Sequence, residues 1–237
     1  MKTIGIIGGS TDVATVEYYK LINNGIRERL GEQHTGEIII NSMDAHQSAQ
    51  LLKNHLYDEA AAYLHKKALS LERAGADFIL CVSNTWHMSE PLFMKGIKVP
   101  FLHIVDPTAR AIQGDGFKKV GLLGTKATMS GTFLSDRYTE QFGIEIVVPT
   151  DEDQDVIDRI IFEELSQANF TEESKNQYLS IIDSLSSRGV QGIILGCTEI
   201  PLLVNQLDRP HIPMYDTMAL HAEAAVILAL DGHEEPR

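Results

Sequence analysis

Short runs of apolar residues alternate along this chain with longer segments in which apolar positions return every third or fourth residue. Apolar runs of about 4 to 8 residues bounded by turn residues read as buried parallel strands, and the longer period reads as helix. Lys2 to Ile7 is the first predicted strand, followed by a loop at Gly8-Gly9-Ser10-Thr11-Asp12 and a helix from Val13 to Leu30. The spacing puts that helix's apolar face at Val16, Tyr19, Ile22 and Ile26. Glu37 to Met43 is a second strand, Tyr57 to Ala74 a helix closed by Gly75, Phe78 to Val82 a third strand, and Val99 to Val105 a fourth after a short helix. In the second half, strands are predicted at Lys119 to Leu123, Glu145 to Val148 and Gly192 to Leu195. Helices are predicted at Ser130 to Phe142, Gln154 to Leu165 and Thr171 to Ser187. A last helix runs from about Thr217 to Leu230, and the polar tail DGHEEPR is expected to fray. Strands alternating with helices imply an α/β architecture with mainly parallel sheets.

Two pairs of stretches match. "IGIIGGSTDVAT" from Ile4 and "VGLLGTKATMSG" from Val120 are apolar strands that break at glycine into a Ser/Thr-rich turn. "FILCVSNTWH" from Phe78 and "GIILGCTEI" from Gly192 are apolar runs that end in a small nucleophilic or hydroxylic residue, Ser83 and Cys197. Gly8 lies 75 positions before Ser83, and Gly124 lies 73 before Cys197. The repeated order and spacing predict two similar lobes, each a mainly parallel sheet flanked by helices. The first is expected to take residues 1–104 with about 215–237, and the second 105–214. Ser83 and Cys197 then sit at strand carboxyl ends, where open α/β sheets place their ligands.

At 237 residues the chain has room for two such lobes. A formal net charge of −13 with no Lys/Arg run argues against nucleic acid and anionic membrane surfaces as partners. The cysteines, Cys81 and Cys197, lie in apolar strand patterns and form no metal-like CxxC, which points to a reducing compartment without a structural disulfide. The late apolar stretch "AEAAVILAL" is far short of the roughly 20 residues that span a bilayer. The amino terminus enters a strand at once, so a soluble, cytoplasmic protein is expected.

Cys197 is the strongest chemical candidate. A thiol at a strand end, before a helix that Thr198 could cap, is expected to have its pKa lowered by the helix dipole. Ser83 needs an activating neighbour that the residues alone do not identify. Cys81 shares Ser83's side-chain parity but lies about 6.6 Å deeper along the strand. Ser10, Thr11, Asp12, Asn84, Thr85, Thr125 and Thr128 gather at predicted strand ends, where hydroxyls, amides and backbone N–H groups suit a small carboxylate or serve as helix caps. His87, His103 and His221 read more readily as structural histidines than as acid/base groups. "GGSTD" lacks GxGxxG, and there is no Walker motif.

"IGIIGG" with the following "AT" and "YY", "SNTWH" at Ser83 to His87, "LLGT" at Leu122 to Thr125 and "GCTEI" at Gly196 to Ile200 resemble the aspartate/glutamate racemase family. The likeness continues through "PFLHI", "IFEEL" and "DTMALHAEAAV", covering essentially the whole chain. It implies two α/β lobes with the active site between them and a chemistry that needs no pyridoxal phosphate and no metal. In the family two opposed cysteines work on the substrate's α-carbon, one removing a proton and the other delivering one. By motif, Cys197 is the second-lobe cysteine and Ser83 stands where the first-lobe cysteine usually is. Asn84, Thr85 and Thr198 match residues that hold the α-carboxylate, and Thr125 and Thr128 match substrate-pocket positions.

This chain departs from the family pattern at Ser83, where some relatives carry threonine, and at "GGSTD" in place of Gly-Gly-Met, which puts Ser10 and Asp12 at the pocket edge. The resemblance implies a homodimeric, cofactor-independent amino-acid racemase acting on aspartate, glutamate or a related polar amino acid, with the L form the better proton donor. A decarboxylase of the same superfamily using one cysteine, and a non-catalytic amino-acid binder, are the alternatives.

Overall fold

A computed structural model describes residues 1–31 and 33–232. The tail beyond Gly232, expected to fray, lies outside the described residues. Two compact units divide the chain: Met1–Ile104 with His221 onward, and Val105–Leu220.

The first unit contains β1 (Ile4–Gly8), α1 (Asp12–Leu30), β2 (Ile38–Ser42), α2 (Ala45–Lys53), α3 (Tyr57–Arg73), β3 (Phe78–Cys81), a 3-10 turn (Thr85–Ser89) and α4 (Glu90–Phe93). Its parallel sheet has the order β2-β1-β3, with Ile7 of β1 beside Cys81 of β3. Every β1 and β3 residue is buried, as expected for strands covered on both faces. Ile7, Leu64, Ala68, Leu71, Ile79 and Phe93 belong to one apolar cluster of this unit.

The second unit contains α5 (Val105–Gly114), β4 (Lys119–Leu123), α6 (Lys126–Ser130), α7 (Thr132–Phe142), β5 (Glu145–Val147), α8 (Asp151–Glu163), a 3-10 turn (Leu165–Gln167), α9 (Glu172–Ser187), β6 (Ile193–Leu195), α10 (Ile200–Leu203) and β7 (Met214–Asp216). Its sheet order is β5-β4-β6-β7, all parallel, with Leu123 beside Leu195. One face packs on Ile157, Ile160, Tyr178 and Ile182, and the other on Val105, Ile112, Leu134 and Tyr138. The division between units falls within α11 (Thr217–Leu230), after Leu220.

The α/β class and the parallel sheets flanked by helices agree with the sequence, and several local expectations change. Val99 to Val105 is not a full strand: Phe101 makes a single parallel bridge to Ile79. Pro100 has no N–H to extend a ladder, and α5 already begins at Val105. The helix expected from Ser130 to Phe142 is α7, starting at Thr132 because Gly131 adopts extended backbone (φ −80°, ψ 151°), and the short α6 before it was not anticipated. On α1 the buried stripe is Ala14, Tyr18, Ile22 and Ile26, while Val16 and Tyr19 are exposed. The fourfold spacing back from Ile26 and Ile22 leads to Tyr18 and Ala14, so the true face lies one position away from the expected one. Asp12 does not cap α1. Thr11 does, its hydroxyl accepting from the Ala14 N–H, and Asp12 is the first helical residue. Helix α2, with only Ser48 buried, and α5 were not anticipated.

Candidate active site

In the first unit, β1 ends in a loop that only glycine can make. Gly9 has φ +82°, and a Cβ there would lie 2.2 Å from the Met43 carbonyl oxygen. Ser10 follows, half-buried, and Asp12 is exposed, lining a cavity of about 390 Å³ with Gly9, Thr15, Ser42 and Met43. The loop after the adjacent strand β3 carries Ser83, Asn84 and Thr85, all buried. Ser83 is two residues beyond Cys81, the partner of Ile7.

His87 holds this loop. Its Nδ1 donates to the Ser83 carbonyl at 2.7 Å, and its Nε2 accepts from the Ile104 N–H at 3.2 Å. A carbonyl can only accept, so the proton is on Nδ1 and the ring is neutral. His221 Nε2 donates to the Leu102 carbonyl, and its Nδ1 bonds the Tyr18 hydroxyl, both at 2.9 Å. The His87 and His103 rings meet edge to face at 4.5 Å. For His87 and His221 the structural reading therefore holds.

The second unit repeats the arrangement after β4 and β6. Gly124 and Gly196 let the two strand ends close on each other: a Cβ on Gly124 would lie 3.0 Å from the Gly196 carbonyl oxygen. Thr125 caps α6, accepting from the Thr128 N–H at 3.2 Å, and the two hydroxyls bond at 3.0 Å. Thr125 and Thr128 are thus brought together, with Thr128 fully buried behind Thr125.

Cys197 lies two residues past Leu195 and is half-buried. Its Sγ donates to Glu199 Oε2 at 3.1 Å, and the Thr198 hydroxyl donates to the same oxygen at 2.7 Å. Thr198 therefore binds Glu199 rather than capping the next helix. Burial pushes the Cys197 thiol well above its ordinary pKa, and the Glu199 carboxylate adds to the shift. The expected lowering is outweighed first by burial and then by the Glu199 carboxylate. Glu199, inside "GCTEI", is the residue that sequence reasoning passed over. The available signal was a carboxylate two positions after a candidate thiol. Cys81 is fully enclosed, and burial raises its pKa to about 12. Among the described residues no cluster of His, Cys, Asp or Glu is placed to hold a metal ion, and no helix is long and apolar enough to cross a membrane.

The family model for Asp/Glu/Hydantoin racemase matches residues 4–225. The chain is similar to the crystal structure of a candidate Asp/Glu racemase from Yersinia pestis, with 43% identity, a TM-score of 0.90, and coverage of 97% of this chain and 100% of that one. An aspartate racemase homologue from Pyrococcus horikoshii OT3 is 36% identical, with a TM-score of 0.83 and coverage of 97% and 99%. The broad specificity amino-acid racemase RacX of Bacillus subtilis strain 168 is 26% identical over 170 residues, 72% of each chain. These relatives favour racemase chemistry over the decarboxylase and binder alternatives.

Proposed function

Because the chain belongs to the Asp/Glu/Hydantoin racemase family and is an amino-acid racemase, we propose that it acts on aspartate, glutamate or a related polar amino acid without pyridoxal phosphate. Cys197 is the base that removes the α-proton, and Ser83 is the second acid/base group. The observation that carries this reading is the shared register. Ser83 lies two residues beyond Cys81, the partner of Ile7 one residue before the end of β1, and Cys197 lies two beyond Leu195, the partner of Leu123 at the end of β4. Cys197 is the partly accessible thiol, whereas Cys81 is sealed in the core. Asn84, Thr85 and Thr198 hold the α-carboxylate, while Ser10 and Thr125, with Thr128 behind it, shape the rest of the pocket. The protein works as a homodimer in a reducing cytoplasm, consistent with its unpaired cysteines. Light scattering at micromolar concentration should give twice the chain mass, and a monomer mass would count against the dimer.

With one thiol and one hydroxyl, the two enantiomers should not exchange alike. In D₂O, NMR should show the L substrate losing its α-proton quickly and the D substrate slowly. Net conversion must still have equal kcat/KM in both directions, because the enantiomers have equal free energy. The asymmetry therefore belongs to exchange with return, or to kcat and KM separately. Ser83→Cys should speed proton loss from the D form, since a thiol with an ordinary pKa of about 8.5 ionises far more readily than a hydroxyl. Equal wash-out from both enantiomers in the unaltered protein would remove Cys197's special place, and no racemisation across a polar amino-acid panel would remove the substrate assignment.

A further inference from the structure

The loop after β1 stands at the carboxyl end of the first sheet, and β1 is the middle strand, with β2 on one side and β3 on the other. Beyond the ends of β1 and β2 lies the cavity of about 390 Å³ that Asp12 lines with Gly9, Thr15, Val16, Met43 and Ala45. Val16, Met43 and Ala45 give it an apolar wall, and Val16 is 52% exposed there without a partner from the core. Asp12 is the charged side chain among the described lining residues.

The polar groups around Asp12 do not make this a place for an anion. The Gly9 N–H is spent on Thr15 Oγ1 at 2.8 Å, the Ala14 N–H on Thr11 Oγ1 at 3.1 Å, and the Thr15 hydroxyl donates to the Thr11 carbonyl at 2.8 Å. The amino end of α1 carries about half a positive charge, which the whole charge of a carboxylate outweighs. Lys67 bonds Asn41 Oδ1 at 3.0 Å and the Ser42 carbonyl at 2.7 Å, and it is not a lining residue. What remains for a ligand is an apolar wall with a carboxylate at its edge. That combination suits a methylene stem ending in a cation.

The reach is right for a substrate side chain. Ser83 extends β3, and adjacent strands lie about 4.8 Å apart, so the cavity begins about one strand spacing from the Ser83 loop. With bonds of about 1.5 Å, an extended lysine side chain spans roughly 6 Å from α-carbon to ammonium.

We propose that Asp12 selects the substrate's side chain, favouring an amino acid with a cation on an apolar stem, the class of lysine and ornithine, over aspartate and glutamate. The stem lies along Val16 and Met43, and the ammonium meets the Asp12 carboxylate. Asp12 touches the substrate away from the reacting carbon and is a specificity-determining residue. The proposal rests on the racemase reading above and narrows its polar amino acids to this class.

The test is kcat/KM for lysine, norleucine and glutamate in the unaltered enzyme and in Asp12→Asn. Norleucine has the stem without the charge. In the unaltered enzyme lysine should exceed both others, and its lead over glutamate should shrink as salt is raised toward 1 M, where the screening length is about 3 Å. Asp12→Asn keeps the side-chain size and the Thr11 cap. An exposed charge pair is worth up to about fivefold, and attraction to lysine and repulsion of glutamate are lost together, so the lysine-to-glutamate ratio should fall by about tenfold. A merely structural role would scale all three substrates alike and leave the ratio where it was.

Glutamate preferred over lysine in the unaltered enzyme, a lead that salt does not reduce, or a ratio that Asp12→Asn moves by less than about twofold would overturn the proposal. The salt comparison needs no variant and so survives any failure of Asp12→Asn to fold. If no amino acid is racemised, the functional reading falls by itself. Calorimetric titration of lysine and glutamate into both proteins then decides the role of Asp12 by the same ratio, and no binding of lysine would overturn it.

Discussion

The loop after β3 and the loop after β6 occupy the same place in two similarly ordered sheets, yet they are held in different ways. In each unit the first strand, β1 or β4, lies between the second and third, and the third strand ends in the loop of interest. Even the edge matches in outline: Phe101 bridges to β3 where β7 pairs with β6. In the first loop an imidazole bridges two backbone groups, the Ser83 carbonyl and the Ile104 N–H. In the second, the carboxylate of Glu199 accepts from side chains, the Cys197 thiol and the Thr198 hydroxyl. One loop has its backbone fixed and leaves its hydroxyl's chemistry to other groups. The other couples its thiol directly to a proton acceptor. Shared topology thus sets where the groups sit, and the local partner decides what each can do.

The largest expected difference between the loops is chemical. Cys197→Ala should slow α-proton loss from the L enantiomer by about 10²- to 10⁴-fold, the usual contribution of a positioned general base. Ser83→Ala should change that same exchange by less than about tenfold while still impairing net racemisation. Isotope exchange in D₂O on both folded variants gives the comparison, and equal losses would erase the distinction between the loops.

A smaller effect separates them in stability. His87→Ala leaves the Ser83 carbonyl and the Ile104 N–H without this bridge inside a buried site. At roughly 1 to 3 kcal/mol per buried group that loses a partner, the two together should cost about 2 to 6 kcal/mol. Urea unfolding should show a lower midpoint at an unchanged slope. A shift under about 0.5 kcal/mol, the size of an ordinary surface change, would mean that the imidazole does not hold the first loop.

Most of the fold was legible because the buried parallel strands are nearly continuous apolar runs, as in Ile4 to Ile7 and Ile193 to Leu195, and need no partner to be recognised. Elements that depend on context were not. Helix α2 buries only Ser48, so its apolar period is faint, and it is set by Asp44, whose side chain accepts from the His46 and Gln47 N–H groups. That Ser83 and Cys197 each follow the third strand of their own unit was readable from spacing. The thiol's state was not, because it depends on how far burial and Glu199 outweigh the backbone N–H groups. A sequence shows that a carboxylate lies two residues on. It does not show that the chain turns the carboxylate back onto the sulfur.

The smallest expected effect compares the two threonines in the loops that follow β1 and β4. Thr11 caps α1, accepting from the Ala14 N–H at 3.1 Å, and Thr125 caps α6, accepting from the Thr128 N–H at 3.2 Å. Loss of a threonine cap costs about 1 kcal/mol, so Thr11→Ala and Thr125→Ala should destabilise their units by similar, modest amounts. Their effects on activity should part. Thr125 also bonds the Thr128 hydroxyl and is proposed to line the substrate pocket, so Thr125→Ala should raise KM several-fold, about the loss of one net hydrogen bond of roughly 1 kcal/mol. Thr11 is not among the residues proposed for the pocket, and Thr11→Ala should leave KM unchanged once the fraction folded is accounted for. Denaturant titration and steady-state kinetics on the two single variants separate these outcomes. A Thr125→Ala enzyme with unaltered KM would reduce that threonine to a cap, and would leave the loops after β1 and β4 alike in function as well as in form.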